Sequence, residues 1–199
     1  MTQATTRFKT FEEYAALDPS ELPEGRYELV DGAIVEMGAE NDGNVLIAGF
    51  LFSVLLQFVP HYLLRRGTEI RVSSKLVTSR CPDLMVVTEK LHQALKRDSR
   101  SLVELDLPAP ALVVEVVSPG TPSSDNYKRD YEQKPEEYAK RGVPEFWRLD
   151  PDRAVVSVLA LKGGQYVEQA FQGDDRIISP TFPALNLTAH KILTAGEGV

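Results

Sequence analysis

The sequence is poor in the residues that build covalent or soft-metal frameworks. Its 199 residues include one cysteine, Cys81, and three histidines. A single thiol cannot close an internal disulfide, which excludes a stapled secreted scaffold and fits a reducing compartment. Cys81 stands beside a strand start and reads as a small buried hydrophobe. His61, His92 and His190 are scattered, so no ligand pair at zinc-motif spacing exists. No Gly-rich phosphate loop occurs, because Gly163-Gly164 reads as a turn, and no G-x-S-x-G elbow supports an acyl-transfer hydrolase. Long apolar runs are missing too. The nearest, from Asn44 to Val59, is about sixteen residues long, holds Ser53 and Gln57, and stops at Pro60, short of a membrane span. The opening residues lack the apolar core of a signal peptide, so a cytoplasmic protein is expected. Basic residues are outnumbered, with 22 Lys and Arg against 29 Asp and Glu and a net charge of -7. That argues against a protein that coats nucleic acid broadly, while a local basic cleft remains compatible with it.

What is present is an ordinary globular composition, 43% hydrophobic and 26% charged, at a length that suits one domain with its own core. Residues 9–18 predict a short helix with a capping box from Thr10 to Glu13. Residues 26–37 predict a hairpin, since Asp31-Gly32 separates two β-rich runs. The run 44–59 predicts a helix buried on most sides or shared with a partner subunit, and a homodimer through it or through a sheet edge is expected. Residues 68–77 and 82–87 read as strands. Residues 89–102 read as a charged helix whose Lys90, Lys96, Arg97 and Arg100 form a solvated face able to supply phosphate contacts. A helix is expected over 125–141 with Gly142 as its cap, and Pro135 predicts a break or a second helix start near Lys134. Residues 144–151 read as a strand, 155–161 and 165–171 as a hairpin around Gly163-Gly164, and Ile177-Ile178 and Leu185–Leu187 as short strands. The pattern predicts an α/β (α+β) domain with a central mixed sheet flanked by helices and an N-terminal hairpin.

One stretch stands out from packing logic. Ala111-Leu112-Val113-Val114-Glu115-Val116-Val117 is a continuous apolar strand with a carboxylate in its middle. An unpaired ionised carboxylate there would cost several kcal/mol at least, so a cation, a metal or a proton is expected beside it. Asp83 opens a second apolar strand, and Glu28 lies in the hairpin. Parity puts Val113, Glu115 and Val117 on one face of their strand and Val114 and Val116 on the other. Hard divalent ions take one or two carboxylates plus waters and substrate phosphate, and such a clamp serves metal-assisted phosphodiester hydrolysis. Each acid also has a plainer reading: a strand-start turn for Asp83, a salt bridge to Lys134 or Arg80 for Glu115, and an exposed cross-strand pair for Glu28. Phe146 and Trp147 read as core. Arg80 reads either as a phosphate-steering residue or as a rim partner for Asp83 or Glu115.

Pro82-Asp83 followed by Glu115-Val116-Val117 resembles the two-part signature of the PD-(D/E)XK nuclease superfamily. The flanking text is more specific. Residues 26–32 (RYELVDG), 80–84 (RCPDL), 113–121 (VVEVVSPGT) and 142–147 (GVPEFW) follow the order of the Uma-type endonuclease family, a restriction-endonuclease-like domain of unknown function, over about residues 10 to 190. The resemblance implies a restriction-endonuclease-like core, Mg²⁺ or Mn²⁺, and hydrolysis of DNA. It assigns Asp83 and Glu115 as metal ligands and Glu28 as an auxiliary ligand or water-positioner. The superfamily lysine due two residues after the glutamate is Val117 here. A helical lysine looks like its replacement: Asp130, Lys134 and Tyr138 match the family's acid, lysine and tyrosine at spacings of four, with Lys128 as the alternative. Two further readings stand beside the nuclease: a fold relative that only binds nucleic acid, and an oligomerising protein whose acids are salt-bridged.

Overall fold

Asp31 and Gly32 both adopt positive φ, 49° and 78°, as a two-residue primed turn requires. They join β1 (Tyr27–Val30) to β2 (Ala33–Glu36), with Val30 opposite Ala33. Ahead of the hairpin, α1 (Phe11–Ala15) carries the expected capping box, Thr10 and Glu13 each bonding the other's amide. After it come α2 (Asp42–Leu55), β3 (Leu64–Arg65), β4 (Glu69–Val72), β5 (Thr78–Arg80), β6 (Leu84–Val86) and α3 (Glu89–Leu95). Then follow β7 (Leu102–Val103), β8 (Leu112–Val116), α4 (Asp125–Lys128) and α5 (Lys134–Arg141). The chain closes with β9 (Glu145–Asp150), β10 (Val155–Lys162), β11 (Gln165–Gln172) and α6 (Ala189–Leu193). This computed structural model describes residues 7–25, 27–37, 41–74, 77–95 and 100–197.

The expected mixed sheet is divided into two. One sheet runs β2-β1-β5-β4-β7 and the other β11-β10-β9-β8-β6-β3. Each mixes directions, with β4–β7 and β8–β9 parallel and the other pairs antiparallel. The parity of β8 explains the layering. Val114 and Val116 pack with Leu84, Trp147 and Leu149 beneath Ile47, Leu51 and Leu55 of α2 and Ile192 of α6. Val113 packs on the opposite face with Met85 and Phe146, against Tyr138 of α5 and Ile70, Val72 and Val103 of the first sheet. Each fully buried aliphatic side chain of this kind stabilises by about 1.5–3 kcal/mol. Glu115 shares the parity of Val113 and therefore faces α5.

Several local expectations change. The long apolar helix begins at Asp42, where the Asn41 side chain accepts the Gly43 amide, and ends at Leu55, after which tighter turns lead to Pro60. It buries Ile47, Ala48, Leu51 and Leu55, with Phe50, Phe52 and Val54 partly buried, and leaves Leu46 and the capping Leu56 exposed. Of residues 68–77 only Glu69–Val72 form a strand among the described residues, β5 begins at Thr78, and Leu102 is strand rather than helix. Ile177 and Leu187 exchange one backbone hydrogen bond without forming strands. Lys96 and Arg97 lie outside the described residues. Arg100 is held by Glu69 at 2.7 Å, so it is a structural partner rather than a phosphate contact. No helix among the described residues is long and apolar enough to cross a membrane.

Pro135 sits in the first turn of α5, the second helix expected to begin near Lys134. It lacks an amide proton and its ring would meet the carbonyl four residues back. The chain answers with a π-helical turn, Arg129–Gln133, in which the Lys134 amide bonds the Arg129 carbonyl five residues back, and the helix continues to the left-handed Gly142 cap.

The hairpin turn also abuts the chain that precedes α1. A Cβ on Gly32 would stand 2.5 Å from the Phe8 carbonyl oxygen, and its positive φ disfavours any side chain. Gly32→Ala is expected to lower the unfolding free energy by about 2 kcal/mol in a urea titration. An unchanged midpoint would contradict this account of the turn.

Candidate active site

The antiparallel register of β6 with β8 pairs Leu84 with Val114 and Met85 with Val113. One step further along that register, Asp83 falls opposite Glu115 on the same face. Two carboxylates in that relation repel unless something positive lies between or beside them. Asp83 is buried, and its Oδ2 accepts the Val116 amide at 2.8 Å, which ties the start of β6 to the end of β8.

Glu115 is 3% exposed and fully engaged. Lys134 Nζ donates to its Oε2 at 2.7 Å, and the Tyr138 hydroxyl donates to its Oε1 at 2.5 Å. Lys134 is itself buried and reaches Asp130 Oδ1 at 3.1 Å. Asp130 Oδ2 accepts the Ser118 amide, fixing the chain just after β8 against the π-helical turn. The expected set Asp130, Lys134 and Tyr138 is thus brought together, and Lys128 is left exposed to solvent. An ammonium reaches Glu115 from α5 and not from position 117, which is valine. Val117 itself is buried and bonds the Leu149 carbonyl.

Glu28 reaches the same place from the other sheet. The β1–β5 register pairs Leu29 with Ser79, so Glu28 stands across from Arg80 on one side and from Val35 of its own hairpin on the other. It is buried, not the exposed cross-strand residue of its plainer reading. Arg80 Nη1 donates to Glu28 at 2.8 Å, while its Nε and Nη2 donate to Glu137 of α5 at 2.7 and 2.8 Å. Arg80 is 1% exposed, so it is not a rim arginine and serves neither Asp83 nor Glu115 directly. It bolts the first sheet to the helix that carries Lys134.

Glu28, Asp83, Glu115 and Lys134 line one cleft of about 560 Å³, walled by the β1–β2 hairpin, the start of α2, the β8 end and α4. Among the described residues, Glu28, Glu36, Asp83 and Glu115 face it against Arg129 and Lys134. Burial raises the Glu115 pKa to about 7, with Asp83 and Glu28 adding to the rise and Lys134 opposing it. Burial also works against the Lys134 ammonium, yet Glu115, Asp130 and Glu28 outweigh it and push the pKa above the ordinary lysine value. The Glu28 carboxylate is disfavoured by burial but stabilised more by Lys134, Arg80 and Arg129, which hold its pKa below the usual range. Cys81, expected as a buried hydrophobe, is half-exposed and lines the cleft.

The donor set fits a hard divalent cation. It is all carboxylate oxygen, and Glu115 keeps acceptor capacity beyond its two hydrogen bonds. The surplus of negative charge opposite Lys134 would be relieved by such an ion. Among the described residues no three His, Cys, Asp or Glu side chains form a ready cage. Asp83 and Glu115 with waters would make a site of the two-carboxylate kind that Mg²⁺ commonly uses. Glu137, Asn44 and Arg129 escaped the sequence reading. Glu137 and Arg129 were not singled out at all, and Asn44 stood only as the start of the predicted helix. Asn44 in fact donates to the Val117 carbonyl at 3.2 Å, and Arg129 to Asp130 at 3.1 Å.

A family model, Uma2, described as "Putative restriction endonuclease", matches residues 11–190. No match was found among the curated proteins. Among solved structures, the chain is similar to the crystal structure of a "putative nuclease belonging to DUF820" from Anabaena variabilis ATCC 29413. The identity is 21% and the TM-score 0.66, over 89% of this chain and 96% of that one, which shows a shared fold.

Removing Arg80 would leave the Glu28 and Glu137 carboxylates buried without their counter-ion. Arg80→Ala is expected to cost about 3–5 kcal/mol of unfolding free energy, read by denaturant titration. A loss under about 1 kcal/mol would mean the bolt between sheet and helix is dispensable.

Proposed function

We propose, for a chain that belongs to the Uma2 family, that it is a nuclease hydrolysing DNA phosphodiester bonds with Mg²⁺ or Mn²⁺ held by Asp83 and Glu115. One observation carries the reading: Glu28, Asp83, Glu115 and Lys134, which come from two sheets and a helix, line the same cleft. Acids that served only as structural ion pairs would have no reason to converge on a solvent-connected cavity. The bound ion would polarise the phosphodiester and acidify the attacking water. The chain's own residues do the remainder. Lys134 keeps its proton, so its ammonium orients the attacking water and offsets charge on the phosphate. Tyr138 and Lys134 together fix the rotamer of Glu115, so that the carboxylate is preorganised. Asp83, anchored by the Val116 amide, holds the facing position. Glu28, kept ionised by Arg80 and Lys134, is an auxiliary ligand or a water-positioner at the hairpin side.

A cytoplasmic location fits a DNA substrate and a reduced Cys81. A homodimer through the outward face of α2 is supported by Leu46 and Leu56, 43% and 42% exposed, and sedimentation equilibrium would register the doubled mass.

A supercoiled-plasmid assay in Mg²⁺ or Mn²⁺ tests the function. Native protein is expected to nick or linearise the plasmid, and Asp83→Ala and Glu115→Ala to abolish cleavage. Lys134→Ala is expected to cost at least about a hundredfold in kcat, whereas Lys128→Ala leaves it unchanged. Because Lys134→Ala strips two buried acids of their partner, circular dichroism must accompany it. DNA retained on a gel but left intact across metals would replace the nuclease with a binding module.

A further inference from the structure

A second cavity, of about 510 Å³, adjoins the first. Tyr27, Cys81 and Asp83 belong to the walls of both, so the two lie on either side of the segment that delivers Asp83. A ligand confined to one phosphate would need only the first. A polymer bound at Asp83 by an internal phosphate must continue on both sides of it, and the second cavity is where the other side can go.

The chemistry of that cavity suits a polyanion at one point. Its wall holds one basic side chain among the described residues, Arg66. Arg66 is exposed and makes no ion pair among the described residues, unlike the half-buried Arg129 of the first cleft, which pairs with Asp130. The one other acid in the wall, Glu69, is neutralised by Arg100 at 2.7 Å and also accepts from Tyr14 at 2.6 Å. Arg66 is therefore the uncommitted charge of the cavity. Next to it Gly67 presents bare backbone with open space where a side chain would be. A phosphate can approach both the guanidinium and the main chain there. Tyr27, half-buried between the cavities, offers a flat apolar edge for a sugar or base.

We infer that the second cavity is a subsite for the same nucleic-acid strand, in which Arg66 contacts a backbone phosphate on the far side of Asp83 from Lys134. This rests on the nuclease reading and adds to it a direction of travel for the strand and a binding residue outside the reacting centre. Arg66 contributes affinity to strands long enough to reach it and nothing to shorter ones.

Fluorescence anisotropy with labelled single-stranded oligonucleotides of graded length tests this, in Ca²⁺ to slow turnover. For native protein, affinity is expected to rise with length until the strand spans both cavities. Arg66→Ala is expected to weaken the longer oligonucleotides by about threefold to tenfold and to lower the slope of log K against log salt by about one. The shortest oligonucleotides bind unchanged. Lys140→Ala, an exposed lysine remote from both cavities, leaves every length unaffected. Equal weakening at all lengths, or no change in the slope, would overturn the subsite while leaving the nuclease reading intact. Failure of the native protein to bind any oligonucleotide would overturn both.

Discussion

A carboxylate in the middle of a buried valine strand needs a counter-charge, and much of the site follows from how this chain supplies it. Glu115 cannot turn to solvent, because β8 is covered on both faces. Lys134 and Tyr138 approach from α5, and Lys134 then needs Asp130 to balance its own buried ammonium. Asp130 in turn holds the Ser118 amide, so the strand end, the π-helical turn and the lysine form one closed network. In such low-dielectric surroundings each member is costly to leave alone and strong when paired. Proline at 135 belongs to this arrangement. By forcing a five-residue hydrogen-bond step it keeps Asp130 and Lys134 on the strand side of the helix while preserving helical continuity.

The second constraint is the joining of two sheets. Arg80 spends its guanidinium on Glu28 from one sheet and Glu137 from the helix packed on the other. Three residues later Asp83 opens β6. This short segment therefore sets both the distance between the sheets and the placement of a cleft acid. The consequence is a pocket with more acids than bases among its described residues. Under the proposed function a polyanion approaching it would need a cation to intervene, so metal loading and substrate binding would depend on each other.

Much of the fold was legible in the sequence. Asp31-Gly32 announced the hairpin because only a few residues accept two positive φ values, and Gly142 announced the helix end for a similar reason. The Thr10–Glu13 capping box and the alternating valines of β8 read correctly, being local chemistry. The division into two sheets was not legible, since strand pairing between distant segments leaves no short-range signal. Nor was the exposure of Leu46 on α2: the helix is apolar nearly all round, so periodicity could not say which residue would face water. Ile177 and Leu187 show the converse case. Their β-branched and apolar character is spent on packing, and one backbone bond is all the pairing they make.

For the site, residue types and spacings singled out Glu115 as an anomaly, and the flanking motifs tied it to Asp83, Glu28 and Lys134. What they could not assign was partnership. A salt bridge and a metal ligand were alternatives on paper for Glu115. In the folded chain it has the lysine partner and still lines the cleft, because a carboxylate has lone pairs for both. Arg80 was placed on the rim by its neighbours in sequence, yet the β1–β5 register carries it inward. Sequence by itself determined which groups had to find partners, through the cost of burying charge. Tertiary structure decided which partners they found, because only the packing of α5 and the first sheet against β8 sets which atoms come within hydrogen-bond reach.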